Sequence, residues 1–192
     1  MNYLANAGQI LITFVFNILV GLVLLRVLLQ MVRADFHNPI CQFLYKTTNP
    51  ILIPLRRLIP SWRRIDNAGL VLAWLLLVLK RGLLFALSGS TPSAAGLVVL
   101  AMADLLGFLL MLLLVLIVLR AILSFVSSDQ RHPVVPLVIQ LTQPILRPLQ
   151  RRLPALGGID FSPLLALLAI MLLQALLVQP LLDLGMHLAS PA

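Results

Sequence analysis

The 192-residue sequence predicts an all-α membrane protein: four transmembrane helices arranged as two parallel tandem repeats, each a helix, an amphipathic cytoplasmic segment and a second helix. Three observations lead there. The chain is 61% hydrophobic and 10% charged, with mean hydropathy +1.07, whereas a soluble domain carries about 25% charged residues. Four apolar runs reach the ~20 residues needed to cross a bilayer. The chain also matches itself, without gaps, when slid by 94 positions.

The four runs are approximately Ile10–Val32, Ala68–Leu87, Gly96–Phe125 and Pro163–Leu184. The first follows a start, Met1 to Asn6, that has no basic residue, and its length fits an uncleaved span better than a signal peptide. The third exceeds the bilayer and must tilt or emerge from it. In the self-match, about 17 of the 46 positions from Leu25 to Leu70 are identical to their partners. Among them are Leu25-Arg26 with Leu119-Arg120, Asp35 with Asp129, Pro39 with Pro133, and Ile65-Asp66 with Ile159-Asp160. The division falls between residues 1–92 and 93–192. Each unit crosses twice, so the two should be related by an axis along the membrane normal.

The net charge is +8 with pI about 11.3. In a soluble chain that would suggest nucleic acid. Here the basic residues sit in two stretches between apolar runs: Arg33, Lys46, Arg56, Arg57, Arg63 and Arg64, then Arg131, Arg147, Arg151 and Arg152. That pattern orients a membrane protein and attracts anionic phospholipid. Both basic stretches are expected in the cytoplasm, with the termini and the uncharged link Ser88–Ala95 outside.

Each basic stretch contains prolines at matching places: Pro50, Pro54 and Pro60, then Pro144, Pro148 and Pro154. Each proline lacks an N–H, so short helical pieces are expected in place of one continuous helix. Apolar residues alternate with arginines, which suits a segment lying in the interface. Three readings stay open: a simple anchor, a docking surface for lipid or a partner, and a re-entrant loop shielded by protein. Asp66 and Asp160 open the second helix of each unit and are expected to cap it, with ion binding the alternative.

The run Thr48-Asn49-Pro50-Ile51-Leu52-Ile53-Pro54-Leu55-Arg56-Arg57-Leu58-Ile59-Pro60, preceded by Asn38-Pro39 and followed by Ile65-Asp66, resembles the YggT family, also called YlmG. The second unit repeats the pattern as Thr142-Gln143-Pro144-Ile145-Leu146 and onward. The resemblance covers nearly the whole chain. It implies a small protein of the bacterial inner (cytoplasmic) membrane, where the distribution of basic residues puts both termini in the periplasm. It also implies links to osmotic-stress tolerance and cation uptake, to cell division and envelope organisation, and in plastids to assembly of membrane cytochrome complexes.

Charge inside the apolar runs is costly and should be paired. Lys80 and Arg81 lie about 21 Å up the helix from Asp66, and Asp104 about 24 Å from Arg120, so the three are expected at similar depth as an ion pair, or as part of a transport path. Asp35 and Asp129 follow Arg26 and Arg120 at equal spacing, which allows an Arg–Asp clamp or solvated charges. Cys41 is the sole cysteine, and His37, His132 and His187 do not occupy matching positions. No metal, cofactor or catalytic spacing is present, so enzymatic activity is not expected. Two functions fit: a membrane scaffold or assembly factor that binds membrane proteins, or itself, and anionic lipid; and a component of an ion transporter or channel.

Overall fold

The structure is a computed structural model that describes residues 3–35, 37–60, 66–126, 132–152 and 160–189. All regular elements among them are helical. Helix α1 (Tyr3–Met31) is a long apolar helix. It closes with Arg33 at φ 54, a left-handed residue, and the Ala34 N–H reaches back to the Leu29 carbonyl at 2.9 Å. That six-residue closure satisfies a carbonyl at the helix end. The exposed Arg33 fills a place usually given to glycine, at a cost of about 1–2 kcal/mol.

Helix α2 (Pro39–Leu58) starts on Asn38, whose side chain accepts from the Ile40 N–H, with Pro39 in the first turn. It then runs unbroken through Pro50 and Pro54, and α5 (Val134–Arg152) runs through Pro144 and Pro148. The expectation of broken pieces is therefore corrected. The prolines come four residues apart and all four are exposed. Each frees the carbonyl four residues earlier on the same outward face, where water or lipid headgroups can satisfy it. The inward stripe of α2, Leu44, Thr48 and Leu52, keeps its regular geometry and is buried.

Helix α3 (Asn67–Leu87) is capped by the Asp66 side chain, which accepts from the Gly69 N–H at 3.3 Å. It ends at Gly89, with φ +71. Helix α4 (Ala94–Val126) follows, its Gly96 N–H bound by the Ser93 hydroxyl at 3.0 Å. The last span has three parts: α6 (Ser162–Leu173), one wide π turn (Gln174–Val178) and α7 (Gln179–Ala189). Pro180 lies just beyond that turn and cannot donate to the Leu176 carbonyl. A widened turn accommodates such a loss.

Four helical stretches, Tyr3–Met31, Asn67–Leu87, Ala94–Ser124 and Ser162–Ala189, are long and apolar enough to cross a membrane. Their outer faces carry Phe14, Leu75, Met111 and Leu176 fully or half exposed. So much apolar surface requires lipid as its solvent, and the chain is a membrane protein. The spans pack α1 on α3, α3 on α4, and α4 on α6–α7. The α4–α7 contact is tight because Gly96 meets the Ala189 backbone and Gly185 meets Leu100, leaving no room for a Cβ at either glycine. Small residues at such crossings are how membrane helices gain close packing.

Three buried clusters hold the rest. One joins Val20 and Leu24 of α1 to Leu52, Leu72 and Leu77. The second gathers Leu29, Cys41, Leu44, Leu116, Leu137 and Leu141, and so brings α2 and α5 together against the ends of α1 and α4. The third packs Leu110 and Ile117 against Leu146, Ala166 and Ile170. Cys41 is buried there, and burial pushes its thiol above its ordinary value, which makes it a small core residue and a poor nucleophile.

Candidate functional site

Three polar features stand out against the apolar body. The first lies where α2 crosses α1 and α3. Arg26 of α1 is fully buried. Its guanidinium donates to Thr48 Oγ1 and, at 2.7 Å, to Asn49 Oδ1. It also stacks over the Tyr45 ring, 4.2 Å from the centroid. The Thr48 hydroxyl in turn donates a hydrogen bond to the Leu44 carbonyl at 2.6 Å. Beside this pair, Arg56 binds both oxygens of the fully buried Asp66 and donates to Gln30 Oε1 at 2.9 Å. The Asp66 carboxylate holds Arg56 above its ordinary value. These contacts tie α1, α2 and α3 together, with Arg56 holding the carboxylate and Arg26 held by Thr48, Asn49 and Tyr45.

This corrects two expectations. Arg26 does not clamp Asp35; Asp35 is exposed and instead accepts from the His37 backbone and pairs with its ring at 2.9 Å. Those bonds hold the Asp35 carboxyl below its usual range. Arg56 is not free for lipid, because Asp66 draws it inward. Asp66 therefore does more than cap α3. The Pro60 carbonyl accepts from Asn67 at 3.4 Å. Arg63, Arg64, Asp129 and Pro154 lie outside the described residues.

The second feature is the matching place in the other half. Arg120 donates to Thr142 Oγ1 at 2.9 Å. Asp160 accepts from Gln150 at 2.8 Å and from the Ser162 N–H at 2.9 Å. The N-cap position of α6 is Phe161, so Asp160 acts one residue ahead of the cap. Partial burial pushes the Asp160 carboxyl up, but the donors from Ser162 and Gln150 outweigh it and leave it below the usual carboxylate range. The Arg–Thr contacts were legible in retrospect: Arg26 to Thr48 and Arg120 to Thr142 have the same spacing of 22. Gln30, Tyr45 and Asn49 carried no such signal.

The third feature is within the spans. Arg81 of α3 grips Asp104 of α4 with two bonds, Nε to Oδ2 and Nη2 to Oδ1, both 2.7 Å. Lys80 Nζ lies 3.9 Å from Asp104 Oδ2 and donates to Asn17 Oδ1 of α1 at 3.4 Å. The three charges therefore meet at one depth, with Arg81 making the direct contact and Asn17 an additional partner the sequence did not mark. The exposed basic side chains of the two amphipathic helices are elsewhere: Lys46 and Arg57 on α2, and Arg147, Arg151 and Arg152 on α5. The N-termini of these two helices meet where Asn38 donates to the Pro133 carbonyl at 2.6 Å, so the two basic faces lie at one end of the bundle. Among the described residues no group of acidic, histidine or cysteine side chains could hold a metal.

The CCB3/YggT family model matches the chain twice, over residues 5–87 and 99–181. The chain is 41% identical to a Vibrio alginolyticus protein encoded in the proC 3' region, over 83% of this chain and 86% of the relative. It is 40% identical to YggT of Escherichia coli K12, over 85% of each. A Pseudomonas aeruginosa relative is 38% identical over 82% of this chain and 81% of its own. All three relatives bear names that leave their function open. No solved structure matches.

Proposed function

The chain belongs to the CCB3/YggT family, and from that premise we propose that it is a non-enzymatic scaffold or assembly factor of the bacterial inner membrane. In this reading α2 and α5 lie on the cytoplasmic surface and bind anionic phospholipid, while the spans bind partner membrane proteins or a second copy of the chain. Both termini lie in the periplasm. The observation that carries the proposal is the pair of continuous amphipathic helices at one end of the bundle. Each buries an apolar stripe against the spans and leaves Lys46, Arg57, Arg147, Arg151 and Arg152 outward. A basic charge near an anionic surface contributes about 1 kcal/mol, so five give a strong, salt-dependent lipid preference. Osmotic tolerance and envelope organisation would follow from partner assembly.

The test uses the full chain in bilayers with spin-labelled lipids. Replacing these five side chains with Gln should abolish the preference for phosphatidylglycerol over phosphatidylcholine; an unchanged preference would overturn the lipid reading. Thiol labelling checks orientation. In a Cys41→Ser background, Ser93→Cys should react with an impermeant reagent from outside intact spheroplasts.

A second reading, a component of an ion transporter, rests on the Lys80–Asn17–Asp104–Arg81 cluster. Ion flux through proteoliposomes of the pure protein would favour it. The scaffold is preferred because each charge in that cluster already has a protein partner. In addition, among the described residues the spans pack as neighbours in a row, with no substantial contact from α1 or α3 to the last span to close a central path.

A further inference from the structure

Helix α7 ends the row of spans, and α4 is the span it packs on. Their antiparallel register is set by Gly96 against Ala189, Leu100 against Gly185 and Gly107 against Val178. Asp183 therefore falls near the depth of Asp104, about 9 Å from the helix end at Ala189. Val178, Gly185 and Ala189 form the buried side. Gln179, Asp183 and His187, spaced four apart, are exposed on the side turned away from α4. Leu184, Met186 and Leu188 around them are exposed too, so this surface meets hydrocarbon. Asp104 is gripped by Arg81, whereas Asp183 has no hydrogen bond or ion pair among the described residues. A second unmet group lies deeper. The Gln179 N–H returns to the Gln174 carbonyl, and residue 180 is proline. The carbonyl of the exposed Ala175 thus has no helical donor four or five residues on. It lies about 21 Å from the same helix end, opposite the middle of α4. A carboxylate and a bare backbone carbonyl are both unfavourable against lipid, and both are acceptors.

We propose that the outward side of α7 is the docking face for a transmembrane helix of another protein, one that carries lysine or arginine at the depth of Asp183 and a hydrogen-bond donor near mid-membrane. Complementarity selects this occupant. A lipid headgroup reaches Asp183 from the near surface but not Ala175, about 12 Å deeper. A second copy, related by an axis along the membrane normal, would set Asp183 against Asp183. The cations that the described residues place at this depth, Lys80 and Arg81, already lie against Asp104. A foreign helix with its own cation meets the carboxylate and is itself relieved of an unpaired charge in lipid. This deepens the scaffold reading given above and rests on it for the presence of a partner.

The experiment measures energy transfer in phosphatidylcholine vesicles between the full-length protein, labelled at Thr91→Cys in the Cys41→Ser background, and leucine-rich transmembrane peptides. One peptide is wholly apolar, one carries arginine at the depth of Asp183, and one carries serine near its middle. The wild type should bind the arginine peptide about tenfold more tightly than the apolar one. Asp183→Leu should remove that difference with helix content unchanged by circular dichroism, and Asp183→Glu should keep it. Pro180→Ala, which restores an N–H, should weaken binding of the serine peptide and leave the arginine peptide bound. Equal binding of the arginine and apolar peptides, or an unchanged difference in Asp183→Leu, would overturn the face. So would energy transfer between two copies of the protein that Asp183→Leu abolishes, which would assign the face to self-association. Photo-crosslinkers placed in cells at Gln179 and at the exposed Leu79 of α3 separate this face from the scaffold reading. Crosslinks to another membrane protein from Leu79 and none from Gln179 would keep the scaffold and sink the face. No crosslink from either, with the peptide discrimination intact, would sink the scaffold and keep the chemistry of the face.

Discussion

The polar network beside α2 and its counterpart beside α5 are built on matching sequence positions and differ in kind. Arg26 and Arg120 each donate to a threonine of the amphipathic helix. Asp66 and Asp160 each bind a side chain ten residues earlier, Arg56 in one case and Gln150 in the other. That single change, arginine against glutamine, accompanies the rest. Asp66 is fully buried and paired with a charge, whereas Asp160 is exposed, accepts from Gln150 and the Ser162 N–H, and feels Arg120 only through space. A buried ion pair locks geometry and is costly to break; an exposed hydrogen-bonded carboxylate contributes little. The α1–α3 network is therefore the stiffer half.

Breaking the stiff half should have the largest effect. Asp66→Asn takes the anion from the half-buried Arg56, beside the buried Arg26, and should destabilise the protein by about 3 kcal/mol, read by chemical denaturation in detergent micelles. Asp160→Asn should cost less than about 1 kcal/mol. Equal losses would erase the distinction between the halves.

Next comes the cluster within the spans, which ties α1 and α3 to α4. Asp104→Asn and Arg81→Gln should each lower the melting temperature in detergent, because each breaks a two-bond contact, and the double variant should recover part of the loss. Lys80→Gln should change it much less, since Lys80 stands 3.9 Å from Asp104 and is a surplus cation. A large loss with Lys80→Gln would reassign the main pairing from Arg81 to Lys80.

Converting one half toward the other should have a moderate effect. Gln150→Arg offers Asp160 the partner that Asp66 has. The site is exposed, so a gain of up to about 1 kcal/mol is expected. No gain would mean that burial, and not the arginine alone, makes the first network strong.

The smallest effect is in pH. The Asp160 carboxyl titrates below its usual range in the folded chain, so the unfolded chain takes up its proton first as pH falls. Its contribution is present above the ordinary carboxylate value of about 3.9 and fades as pH drops through the lower folded value. The stability difference between wild type and Asp160→Asn should therefore hold at neutral pH and disappear in strong acid. A difference that vanished already between pH 5 and 6 would contradict the hydrogen-bonded state.

Much of this was legible in the residues themselves. Apolar length and the near absence of charge determine four spans, because a bilayer demands both. The shift of 94 and the Thr-x-Pro-Ile-Leu-x-Pro-Leu pattern marked the family and the two amphipathic segments. The uniform helices α2 and α5 were hidden, because proline propensity is a local rule and the exposed placement of the prolines is a tertiary fact. Which arginine turns inward was hidden as well. Arg56 and Arg57 are adjacent and chemically alike; only the crossing of α2 over α1 and α3 aims one at Asp66 and leaves the other outside. The sequence by itself determined which parts of the chain need lipid and where charge is concentrated, since those follow from composition along a line. Tertiary structure alone decided which charges meet, because pairing depends on helix rotation and on distances of a few ångströms between residues far apart in the chain.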